Sequence, residues 1–187
     1  MLRGAATTFV VLTLACGPRD RAVPSAADTA ASGQAAPAGA AAELEAAERA
    51  VAPLRARFGS MDRVDGALVR GDVSSSFRAY YEGEQLRGLE VSVEQGDFAR
   101  SEEEYFLMNG GVVHFASRGV RARTEPGAAA GTTDSLRYRV ALDGAGGVVA
   151  GEKLVNGAAE PVEDYRAAII TSQARTLDET ARALRRP

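Results

Sequence analysis

"LRYRVALDGAGGVVA", residues 136–150, decides the fold. Leu136, Tyr138, Val140 and Leu142 fall on one side of an extended chain, and Arg137, Arg139 and Ala141 on the other. That is the period of two expected where successive side chains point to opposite faces of a sheet. Asp143-Gly144 follows directly, and a tight hairpin turn needs residues that accept positive φ at its centre. The unit therefore reads strand, glycine turn, strand.

The same unit stands twice upstream, in "YYEGEQLRGLEV" (80–91) and "YFLMNGGVVHF" (105–115). Asn109-Gly110 is a strong hairpin turn and Gly83 a weaker one. Leu89, Val91 and Val93 alternate with Glu90 and Ser92, and Val113 and Phe115 are expected to oppose Val112, His114 and Ala116. Three hairpins follow, Phe77–Val93, Tyr105–Ala116 and Leu136–Leu154, giving an antiparallel meander of about six strands with one covered and one wetter face.

Both ends are helical. Leu44, Ala47, Val51 and Leu54 recur at three- and four-residue steps, which is one face of a helix. Acidic Glu43, Glu45 and Glu48 precede basic Arg55 and Arg57, as the helix dipole favours. Pro53 is expected to kink this helix or split off its last turn, with Gly59 as its stop. The second helical pattern runs through Val162, Tyr165, Ile169, Ser172, Leu177, Ala181 and Leu184, with Pro161 in its first turn and Arg182, Arg185 and Arg186 near its end. The expected class is α+β, with the meander flanked by the two helices and both helices on its greasy face.

The N-terminal forty residues are of another kind. Ala5–Ala15 is an apolar run of eleven residues after a short basic start at Arg3. Such a run is too short to span a bilayer and right for a signal peptide. Cys16, the sole cysteine, follows the small Ala15. This stretch resembles the lipobox of bacterial lipoprotein signal peptides, although Thr13 and Leu14 stand where that family prefers leucine and a small residue. The resemblance implies a signal peptide over 1–15, lipidation of Cys16 and attachment to a membrane; a chain left unlipidated would be secreted free. Gly17 in place of aspartate is similar to lipoproteins passed to an outer membrane.

Residues 17–40 are rich in Ala, Pro, Gly and Ser and hold a single valine, too little apolar surface to offset the entropy of ordering. A disordered tether over 16–40 would span on the order of 25–30 Å, and a single α+β domain would occupy 41–187.

The net charge of −3 gives no positive field to hold nucleic acid. One cysteine forbids an internal disulfide, and a single histidine, His114, removes the common multi-histidine and multi-cysteine zinc sites. No phosphate loop, dinucleotide fingerprint or nucleophile elbow is present, so no cofactor and no metal is expected.

Three features could bear function. His114 titrates near neutral pH but lacks a nucleophile motif beside it, and it reads as a histidine on the wetter face. Glu102, Glu103 and Glu104 read as charges that keep an edge soluble. Residues 117–134 form a long connection carrying Arg118, Arg121 and Arg123, where an anionic partner could dock. The expectation is a non-enzymatic binding or scaffolding module of the cell envelope. The alternatives are an inhibitor or sensor docking an envelope protein through 117–134, and a hydrolase using His114.

Overall fold

The structure is a computed structural model and describes residues 38–124, 129 and 131–185. The proposed signal peptide, Cys16 and most of the tether lie outside the described residues.

Helix α1 spans Ala38–Ala56 and runs through Pro53 to end three residues before Gly59. A single 3-10 turn, Phe58–Ser60, follows. Eight strands come next: β1 (Asp62–Arg70), β2 (Val73–Glu82), β3 (Gln85–Gln95), β4 (Ala99–Met108), β5 (Gly111–Ala122), β6 (Thr133–Leu142), β7 (Val148–Val155) and β8 (Ala158–Glu160). Helix α2, Arg166–Arg185, closes the described chain. Every strand pairs antiparallel with its sequence neighbours, in the order β1 to β8. The α+β meander expected from the sequence is therefore present, with eight strands where about six were expected.

The two additional strands sit at the edges. In β1, "DRVDGALVR", the alternation is blurred by Gly66 and Ala67, and no residue of the strand is fully buried. Gly66 is required by packing, because a Cβ there would meet the Phe77 ring and, at 2.9 Å, Leu184. The short β8 follows Asn156-Gly157, whose φ angles of 52° and 83° match the 52° and 82° of Asn109-Gly110. Asp143 and Gly144 do not form a two-residue turn. The loop is longer, and the Asp143 carboxylate accepts the amides of Ala145 and Gly147 at 2.8 and 2.9 Å.

The repeat seen in sequence has a structural counterpart. In the first hairpin Tyr80 faces Gly88, and then Tyr81 faces Leu86. In the second, Phe106 faces His114 and Leu107 faces Val112. In the third, Ala141 faces Ala150 and Leu142 faces Val148. Each return strand thus bulges by one residue at the same level, at Arg87, Val113 and Val149. A bulge reverses the alternation locally. For this reason Val112 packs in the same cluster as Phe115 while Val113 packs on the opposite face, so these two exchange the sides expected for them, whereas Phe115 opposes His114 and Ala116 as expected.

The helices cover opposite faces, not one. Helix α2 lays Ala167, Ile170, Ala174, Leu177 and Ala181 on Phe77, Ala79, Leu89, Tyr105, Phe115 and Val140. Its apolar stripe is rotated from the expected one, and Tyr165, Ile169 and Leu184 are exposed. Alanine lets the helix lie close to the sheet, whereas the larger side chains stay at its margins. The helix also begins after Tyr165, later than Pro161 suggested. On the other face, α1 and the 3-10 turn bury Leu44, Val51 and Phe58 against Tyr80, Phe106, Ala141 and Ala150. Phe58 stacks on Tyr80 with centroids 4.2 Å apart, directly over Gly88, where a Cβ would collide with its ring.

Candidate functional site

Helix α1 covers only the bulged end of its face. Beyond it the sheet is open and charged. Strict alternation sets side chains in cross-strand rows there. One row runs Asp65, Arg78, Glu90, Glu104, Ala116, Arg139, Glu152, and the next contains Ser76, Ser92, Glu102, Arg118 and Arg137. The middle of both rows, from Arg78 and Glu90 to Arg137 and Arg139, lines an open trough of about 590 Å³ that reaches Glu48 on α1. Its β3–β4 side is acidic and its β5–β6 side basic.

Most charges of the first row are partnered. Arg139 donates to both carboxylate oxygens of Glu152 at 2.8 and 3.0 Å and to Glu48 at 3.0 Å, and these bonds raise its pKa further. Arg55 on α1 pairs with Glu104 at 2.6 Å and lies 4.8 Å from the centre of the Phe106 ring. Glu90 accepts from Tyr80 at 2.7 Å and from Arg78 at 3.4 Å. Burial, with this bond to Glu90, pushes the Tyr80 hydroxyl up to about 12.

The second row differs. Arg118 on β5 stands directly opposite Arg137 on β6. Among the described residues neither has a carboxylate within 4.0 Å, and Glu102, which faces Arg118 from β4, has no cation within that distance. Like charges directly opposite on paired strands are unfavourable, so the pair forms a place suited to an oxyanion.

The arginines singled out from the sequence do not act together. Residues 117–122 continue strand β5 and 133–134 begin β6, so the connection is shorter than 117–134. Arg118 and Arg121 lie an odd number of residues apart and hence on opposite faces. Arg121 and Arg123 instead converge on the buried Asp134, at 3.8 and 2.7 Å. The Asn156 amide and Arg123 hold that carboxyl below its usual range. Arg137, which joins Arg118, was visible as a polar-face residue of its strand; its partner was not, because pairing register is not written in either strand alone.

His114 is a correction. It is 1% exposed, not on a wetter face. It occupies the bulge position equivalent to Gly88 and Ala150, under α1, with its ring 5.8 Å from that of Phe106. Neither ring nitrogen has a hydrogen-bond partner among the described residues, and burial lowers its pKa. Ser117 projects from the other face, so no nucleophile is brought to it.

The glutamate triplet divides. Glu102 and Glu104 face the trough, whereas Glu103 lies under α2. Tyr105 donates to Glu103 at 2.5 Å, and the Gln173 side chain reaches the same hydroxyl at 3.2 Å. Burial raises the pKa of Glu103 and raises that of Tyr105 well above its ordinary value. Period-two alternation with Tyr105 and Leu107 already placed Glu103 on the core face, which is the signal that could have separated it from its neighbours.

Among the described residues, no group of three or more histidine, cysteine, aspartate or glutamate side chains is arranged to hold a metal ion, and no helix is long and apolar enough to cross a membrane. No protein-family model, curated protein or solved structure matches the chain.

Proposed function

We propose that this chain is a non-enzymatic binding module of the cell envelope, held to a membrane by lipid on Cys16, and that it binds an oxyanion-bearing envelope partner in the trough. The observation that carries the reading is the unpaired Arg118–Arg137 couple on the uncovered part of the sheet. Guanidinium groups present forked donors to carboxylate or phosphate, and such an oxyanion would relieve the repulsion between the two. The acidic β3–β4 wall beside them would orient a partner carrying both signs of charge. Strand β5 forms part of the basic side of the trough, so docking along 117–122 and docking in the trough are one reading, with the strand as the contact and not a loop.

The test is a photo-crosslinking residue at Ser92, beside the trough in the row of Glu102, Arg118 and Arg137, with Arg175 on the exposed side of α2 as control, in cells of the native host. A discrete Ser92 adduct that disappears in Arg118→Glu/Arg137→Glu supports the reading. A Ser92 adduct indifferent to the charge reversal, or adducts from Arg175 only, would overturn it.

A further inference from the structure

The second face of the sheet carries a different site. Where α2 crosses β1–β4 it leaves a cavity of about 130 Å³. It is open to solvent on one side, and its volume admits a group of about benzene size. Leu68, Val91, Val93 and Leu177 give it an apolar side, and Ser75, Gln173 and Thr176 a polar one. Into it comes one carboxylate, that of Glu103, oriented by the Tyr105 hydroxyl at 2.5 Å and approached by Ser101 at 3.4 Å.

Glu103 has no cationic group within 4.0 Å among the described residues, whereas Glu90, Glu104, Glu152 and Glu163 each have one. Arg166, whose charge reaches Glu103 from beyond 4.0 Å, is bonded instead to Glu163 and to Tyr138, both at 3.1 Å. Arg70 lines the cavity from β1, three strand spacings or roughly 14 Å from β4, and it is exposed, so solvent screens it. A half-buried carboxylate with no cation in direct contact is costly to hold charged. The ligand that relieves that cost here brings a positive charge on a small apolar body.

We propose that the cavity between α2 and strands β1–β4 is a binding site for a small organic cation, a primary ammonium on an apolar group of about six heavy atoms, with Glu103 as its counter-ion. The site is independent of the trough, which opens on the opposite face.

Three isosteric probes test it on the full domain: benzylammonium, benzyl alcohol and benzoate, titrated at pH 7.5 with backbone amide shifts as the readout. Benzylammonium is expected to perturb Glu103, Tyr105 and Gln173 saturably and to bind at least tenfold more tightly than benzyl alcohol, with benzoate weakest. Glu103→Gln should erase the preference for the cation, and Ser75→Leu, which fills the cavity from β2, should weaken all three probes. Equal binding of benzylammonium and benzyl alcohol to the wild type, or no saturable shift with benzylammonium, overturns the proposal without reliance on any variant.

Discussion

Arg118 and Arg137 face each other across β5 and β6 with no acidic partner within 4.0 Å among the described residues. The sheet retains a repulsive pair at its open end while satisfying Arg139 one row away with Glu152 and Glu48. Replacing one member by an acid should therefore help the empty fold and harm binding. Arg137→Glu is expected to raise the urea midpoint, by roughly half a kcal/mol or less in stability, while abolishing the Ser92 crosslink. A loss of stability on this exchange would mean that the pair is already neutralised within the domain.

His114 predicts a loss of stability in mild acid. Its folded pKa lies below its unfolded value near 6.5 because burial disfavours the charged ring. The stability linked to it is complete above about pH 6.5 and declines as pH falls from there toward the lowered folded value. Glu48 and Glu104 pull the other way, and Arg55 and Arg139 reinforce the shift. Urea midpoints at pH 7.5 and 5.5 should differ more for the wild type than for His114→Leu, and the amides of α1, which lies over the ring, should be the first to lose exchange protection.

Glu103 has the opposite sign. Its folded pKa is raised by burial, so its contribution is complete below the unfolded value and is lost as pH rises through the folded one. Glu103→Gln should accordingly stabilise the protein at pH 7.5 more than at pH 4, as read by thermal melting. An equal effect at both would show that the carboxylate is solvated.

Gly88 must remain without a side chain because of Phe58. Gly88→Ala is expected to cost about 1–3 kcal/mol through overpacking, and Phe58→Leu in the same chain should recover part of that loss. Since Gly88 is not among the positive-φ glycines, the backbone gives no other reason for the penalty, and a double-mutant cycle without coupling would refute this account.

Cys16→Ser bears on the anchor. The natively expressed wild type is expected to carry a diacylglyceryl-scale added mass and to sediment with membranes, and the variant to remain soluble and unmodified. Soluble, unmodified wild type would remove the lipid from the proposed function.

Much of this fold is legible in the residues, for identifiable reasons. Leu44 and Val51 mark the buried stripe of α1 because a helix on a sheet needs only one apolar face, and Asn109-Gly110 marks its hairpin because few residues accept two successive positive φ angles. The site is less legible. Whether Arg118 meets Arg137 depends on the pairing register of β5 with β6, which arises from contacts between strands. His114 lies opposite Phe115 as the alternation predicts, but α1 covers that face, and nothing in the strand itself announces the helix above it. In β1, Gly66 interrupts the alternation in order to admit Phe77, so a tertiary requirement erased the local signal. The α2 stripe was misjudged because alanine, counted as a weak hydrophobe, is the residue that permits close approach.

The recurrence of one bulge per hairpin at a common level has a consequence for how such a chain can change in length. Every hairpin returns the strands to the same in-and-out phase, so a whole hairpin can be duplicated or deleted and both faces keep their character. A single inserted residue elsewhere in a strand would invert everything beyond it. The meander is thus modular in units of hairpins, open to growth by gene duplication at its edges and resistant to change in smaller steps.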